Sequence, residues 1–143
     1  MLFREAPEDF KKDIDVVGCY LEHEGEIALL LRPPHKSNGA RWGLPAGKVE
    51  DGESLLTAMR RELLEETGLS VGASSLVSAD TFYVVHRGRS LVFHTFSFAC
   101  SERPPLVVNA DEHEAVRWVT PRDALALPLV TDQDECVRMH YGL

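Results

Sequence analysis

The stretch GKVEDGESLLTAMRRELLEETGLS, residues 47 to 70, constrains this chain more than any other. It places six acidic side chains in 24 positions and still keeps a helical pattern. The spacing predicts an amphipathic helix from about Ser54 to Thr67. Leu55, Leu56, Ala58, Met59, Leu63 and Leu64 supply its apolar side, and Gly68 supplies the stop. Glu62, Glu65 and Glu66 then stand at i, i+3 and i+4, on one side of the helix. Like charges at that spacing repel, and in the last turns of a helix the macrodipole opposes negative charge as well. Two readings follow: a solvated acidic face, or a set of carboxylates that holds a hard divalent cation.

The rest of the chain limits the setting. At 143 residues it is expected to be one domain over 1–143, long enough to bury a real core. A formal net charge of −8 argues against non-specific nucleic-acid binding or anionic-membrane binding, which rest on Lys and Arg. A small phosphorylated ligand is compatible with that charge if metal ions shield the carboxylates. The N-terminal segment lacks the apolar core of a secretory signal, and no apolar run is long enough to span a bilayer. Cys19, Cys100 and Cys136 form no C-x-x-C pair, and such scattered thiols fit a reducing, cytoplasmic setting.

Strands are expected over 14–22 and 27–33, separated by the turn HEGE. RPPHKSNGARWG reads as a loop, and LPAGKVE leads from it into the helix start DGES. TFYVVHR and SLVFHTFSFAC read as a hairpin around RGRS, EAVRWVT as a further strand, and PRDALAL as a short helix with Pro121 in its first turn. TDQDECVRMHYGL reads as a closing helix. Hairpins interleaved with single helices point to an α+β or α/β sandwich with a mixed sheet, and not to a doubly wound parallel fold.

The residues around the acidic face complete a longer pattern. Gly47, Glu53, Arg61, Glu62, Leu63, Glu65, Glu66, Gly68 and Leu69 fill every fixed position of G-x(5)-E-x(7)-R-E-U-x-E-E-x-G-U over residues 47–69, with U a bulky aliphatic. This is the Nudix box, and the chain resembles the Nudix hydrolases. RWGLPAGKVEDGE before the box and EAVRWVTPRDAL after it are similar to that family too. The resemblance implies an α/β/α sandwich that hydrolyses a nucleoside diphosphate linked to another group, with Mg²⁺ or Mn²⁺ as cofactor. By position, Glu62, Glu65 and Glu66 would be metal ligands, joined by the backbone carbonyl of Ala46. Arg61 would hold the carboxylates in place, and Glu53 would belong to the same cluster. Gly47 and Gly68 are expected to meet backbone demands of the loops.

Family members often take a general base or a further metal ligand from a distant loop. NADEHEAVRW offers Asp111, Glu112, His113 and Glu114, of which Glu112 is favoured, Glu114 is second, and His113 is read as a hydrogen-bonded loop residue. Substrate contacts are sought at Arg32, Arg41 and Lys48 for phosphates and at Trp42 and Tyr83 for a base. Asp132 is a candidate for reading the base, and an N-cap for the last helix is its simpler role. The proline typical of ADP-ribose hydrolases downstream of the box is missing, as is the upstream signature of coenzyme A pyrophosphatases. The short chain looks most like MutT-type pyrophosphatases of (deoxy)nucleoside triphosphates. A nucleotide sugar, a dinucleoside polyphosphate or a capped RNA end is the alternative substrate. A non-catalytic nucleotide sensor is the alternative of another class, although its relatives often lose the box glutamates. Dimers are frequent among similar proteins.

Overall fold

The computed structural model describes all residues, 1–143. Its strands are β1 (Leu2–Phe3), β2 (Ile14–His23), β3 (Glu26–Leu31), β4 (Trp42–Gly43), β5 (Ala46–Lys48), β6 (Val77–His86), β7 (Arg89–Ala99) and β8 (Ala115–Val119). The α-helices are α1 (Leu55–Thr67), α2 (Pro121–Ala124) and α3 (Gln133–Tyr141), and a 3₁₀ turn spans Ala73–Ser75.

β2 organises the sheet. It runs parallel to β7 from Ile14↔Leu91 to Glu22↔Ala99, pairs antiparallel with β5, and meets β3 only beside their shared turn. β3 then diverges to pair with β8 and β4. β6 completes the other side as the antiparallel partner of β7, and β1 flanks it. The sheet is therefore mixed, as the sequence suggests, with α1 on one face and α2 and α3 on the other, in the three-layer arrangement the resemblance implies.

Alternation along β2 divides the core. Val17, Cys19 and Leu21 join Ala58, Met59 and Leu63 of α1, while Tyr20 faces Cys136 and Val137 of α3. Each of these is essentially inaccessible to solvent. Truncating a large member such as Leu63 to Ala would cost on the order of 2–5 kcal/mol.

Helix α1 follows its local signals. Ser54 Oγ accepts the Thr57 N–H at 3.1 Å as an N-cap, and Gly68 ends the helix at φ 73° with its N–H on the Leu64 carbonyl. Its buried face is turned slightly from the one expected: Leu64 is 55% exposed, whereas Glu66 is 3% exposed. The hairpin turn has positive φ at Arg87 and Gly88, which matches the twist of the two strands it joins. Asp132 occupies the residue before α3 but makes no side-chain cap bond, so the expected N-cap is not formed. Its carboxylate instead accepts from the amino nitrogen of Met1 at 3.2 Å. All three cysteines are free thiols, with Cys19 and Cys136 buried.

Candidate active site

The box folds into a strand, a turn and a helix that bring its charges together. β5 lies beside the α1 face bearing Glu62 and Glu66. At Gly47 the approach is so close that a Cβ would overlap the Glu62 carboxylate. Gly47 is thus required for the space it leaves to Glu62, while only Gly68 of the two glycines sits at a positive φ.

Arg61 crosses the acidic face. Its Nε and Nη2 donate to the two oxygens of Glu53 at 2.7 and 2.9 Å, in a bidentate pair. Nη1 donates to Glu62 at 2.9 Å and to Glu65 at 3.2 Å, and Nη2 also reaches the Lys48 carbonyl at 3.0 Å. One guanidinium therefore ties three carboxylates to the end of β5. It holds the Glu53 carboxyl down at about 2, and Glu53 in turn raises Arg61 further. For Glu62, burial outweighs the help of Arg61 and the pKa is raised.

Glu66 lies beyond Arg61's reach and is solvated differently. One of its oxygens accepts the Ala46 N–H at 2.9 Å, and the other stands 3.5 Å from Nδ1 of His113. Burial, followed by the charges of Glu62 and Glu112, pushes its carboxyl up to about 9. The 109–114 loop supplies the far wall. Asn109 accepts the backbone N–H groups of Glu112 and His113, and the Glu114 N–H bonds the Leu31 carbonyl at the end of β3. This turn sends Glu112 and His113 inward and leaves Glu114 exposed.

Ligand-type atoms of Glu66, Glu112 and His113 all lie within 4.8 Å of one another. His113 is 5% exposed, and its Nδ1 is a buried polar atom without a hydrogen-bond partner. The expectation of a hydrogen-bonded loop histidine fails at that atom. Burial, with the nearby Arg32 and Lys36 charges, lowers its pKa to about 4. Buried and half-buried carboxylates facing an unpartnered imidazole nitrogen are a donor set that fits a divalent cation.

The remaining candidates divide. Arg32 lines the small cleft that also contains Ala46 and His113, and its Nε donates to the Ser37 carbonyl. Asp132 lines a second, apolar cleft that also includes Ala46. Arg41 is directed away, donating to the Leu129 carbonyl at 2.9 Å. Trp42 is tied by backbone to Leu31 and Leu129 and packs its ring against the α3-side core. Tyr83 alternates to the face opposite Phe82 and Val84 and meets Phe10 edge-on at 5.4 Å, so it is no base platform for this cleft. The Lys48 side chain is exposed, and it is the Lys48 carbonyl that serves the cluster. Gln133 was not foreseen: it is buried, and its Oε1 accepts the Leu44 N–H at 3.1 Å, tying α3 to the segment before β5. A lone Gln in a polar run carries no signal of that role.

Carboxylates braced in this way, on a three-layer α/β/α frame, suit chemistry on phosphoric anhydride bonds through a bound cation. The NUDIX domain model matches residues 12–139, and the chain belongs to the Nudix family. It is 33% identical over 118 residues to the CTP pyrophosphohydrolase of Escherichia coli K12, covering 82% of this chain and 84% of that one. It is also 30% identical over 130 residues to the human 8-oxo-dGDP phosphatase NUDT18, a match that spans 87% of this chain and 38% of the human protein. Among solved structures, that of the E. coli ORF135 protein superposes with a TM-score of 0.72 at 30% identity, covering 92% of this chain and 89% of that one. A MutT NUDIX hydrolase from Burkholderia pseudomallei gives 0.73 at 25% identity, covering 87% and 95%.

Proposed function

We propose that this chain hydrolyses free (deoxy)nucleoside triphosphates to a nucleoside monophosphate and pyrophosphate. In this reading Mg²⁺ or Mn²⁺ is held by Glu62, Glu65, Glu66 and Glu112 with the Ala46 carbonyl. The observation that carries it is the position of the apolar cleft. About 160 Å³ in volume, it is walled by Val16, Val84, Leu91 and Phe93 and also by Ala46, whose N–H holds Glu66. A base seated there leaves its phosphates at the carboxylate cluster. Thr131, Asp132 and Gln133 line the same cleft and offer polar groups to the base edge, among them a carboxylate suited to an exocyclic amino group. The E. coli CTP pyrophosphohydrolase, whose name states a triphosphate of an amino-bearing base, supports this choice of substrate class.

A bound divalent ion would shield the phosphates, polarise their oxygens and lower the pKa of the attacking water. The protein's own groups do the rest. Arg61 fixes Glu53, Glu62 and Glu65 in one arrangement, so that little reorganisation is needed on binding. Arg32, beside Ala46 and His113, offsets phosphate charge. Glu112 accepts the proton of the water that attacks phosphorus as the bridging P–O bond breaks towards pyrophosphate.

A panel of nucleoside triphosphates, nucleotide sugars, dinucleoside polyphosphates and capped RNA, each with Mg²⁺ and with Mn²⁺, tests the reading. Nucleoside monophosphate and pyrophosphate should form fastest from the triphosphates. Triphosphates left intact while a nucleotide sugar yields sugar phosphate would overturn it.

A further inference from the structure

We propose that Nδ1 of His113 is itself a ligand of the metal bound by Glu66 and Glu112, making a mixed nitrogen–oxygen site that prefers Mn²⁺ to Mg²⁺. This rests on the reading above that the cluster holds a divalent ion, and it adds a residue outside the box together with a metal preference. The ring is 5% exposed, and Nδ1 is the one buried side-chain nitrogen or oxygen of the protein without a hydrogen-bond partner. Such atoms are rare in folded proteins and need a reason. The 3.5 Å gap to Glu66 is too long for a good hydrogen bond, so the carboxylate does not supply that reason.

The geometry does supply one. Three ligand atoms sharing one ion at about 2.1 Å lie about 3 to 4 Å apart. Nδ1 of His113 is already 3.5 Å from a Glu66 oxygen, and the group it forms with Glu66 and Glu112 spans no more than 4.8 Å. Side-chain adjustments of up to about an ångström complete the set. The backbone of the loop is fixed, since the His113 N–H bonds the Asn109 carbonyl at 2.8 Å and the next residue is pinned to Leu31, and the ring it carries is buried.

The metal preference follows from donor chemistry. Mg²⁺ is hard, favours oxygen and gives up its water reluctantly, whereas Mn²⁺ and the later divalent metals accept imidazole. An all-carboxylate site separates the two ions less. Placing one imidazole among the oxygens tilts the site towards Mn²⁺, while the carboxylates still bind Mg²⁺.

Pulsed EPR of the Mn²⁺-loaded protein tests this without reference to turnover. Wild type should show directly bound ¹⁴N, which changes to ¹⁵N when the histidines are ¹⁵N-labelled and disappears in His113→Leu. Titration should show Mn²⁺ affinity falling at least about tenfold in His113→Gln, with Mg²⁺ affinity changed less than about twofold. The wild-type spectrum stands even if a variant fails to fold. Bound Mn²⁺ without nitrogen coupling would overturn the histidine ligand and leave the carboxylate site standing. Failure of wild type to bind Mn²⁺ would sink both.

Discussion

Glu66 and His113 face each other across 3.5 Å, both almost wholly buried, and neither ring nor carboxylate finds a good hydrogen bond in the other. Their titrations have opposite consequences in metal-free protein. The Glu66 carboxyl is raised from 4.5 to about 9, so between those values the folded chain keeps a proton that the unfolded chain has lost. That stability is intact below about 4.5 and is lost as pH rises to about 9, by up to about 1.4 kcal/mol per pH unit. His113, lowered from 6.5 to about 4, works the other way between those values, so in the window from 6.5 to 9 it no longer opposes Glu66, whose raised neighbour Glu62 acts in the same direction as Glu66. Thermal melts in EDTA should fall across that window for wild type and stay flatter for Glu66→Gln. Parallel curves would show that Glu66 titrates normally.

Gly47→Ala tests the close approach of β5 to α1. The new methyl would collide with the Glu62 carboxylate, and relief requires moving a charge that Arg61 also holds. Overpacking of this kind costs on the order of 1–3 kcal/mol, and the displaced Glu62 should lower kcat at least about tenfold. An alanine variant with wild-type kcat and melting temperature would show that Glu62 has room to spare.

Arg61→Lys tests the brace. Lysine keeps the charge but cannot grip both oxygens of Glu53 while reaching Glu62 and Glu65. We expect kcat to fall about 10- to 100-fold with circular dichroism unchanged, and metal affinity to weaken. Full activity in the lysine variant would reduce Arg61 to a counter-ion.

Much of this was legible in the sequence, for identifiable reasons. Helix α1 announced itself through Ser54, its apolar period and Gly68, all signals local to the chain. The partnership of Arg61 with Glu53 and Glu62 was implied by the resemblance to the Nudix box, and the ion pairs form. β4 and β5 were not legible: two- and three-residue strands have no periodicity and exist through pairing with β3 and β2. The first residues of β6, Val77 to Ala79, are exposed and run into a register irregularity between Ser78 and Thr81, and they gave no strand pattern. The exchange of Leu64 for Glu66 at the buried face arises because β5 and the 109–114 loop close over Glu66, a tertiary fact that helical period does not contain. Repulsion within the acidic face is relieved partly by Arg61 and partly by the raised carboxyl of Glu66, and not by a cation alone.

The 109–114 loop separates two neighbouring acids. Glu112 turns into the cluster with Glu66, whereas Glu114 is exposed beyond it. Glu112→Gln should lower kcat by roughly 10²-fold or more with little change in KM, as expected for a lost base or ligand, and Glu114→Gln should stay within about twofold. Equal effects from both changes would remove Glu112 from the reaction.

In the proposed function, the carboxylates gathered by α1 and the 109–114 loop hold a divalent ion on which triphosphate hydrolysis depends. The most direct measurement follows CTP turnover in excess EDTA and then after addition of Mn²⁺ or Mg²⁺ beyond the chelator, scoring CMP and pyrophosphate. Turnover should be undetectable in EDTA and return with either ion, while Glu66→Gln stays orders of magnitude slower with metal present. Undiminished CMP release in EDTA, or a Glu66→Gln variant as fast as wild type, would contradict the account.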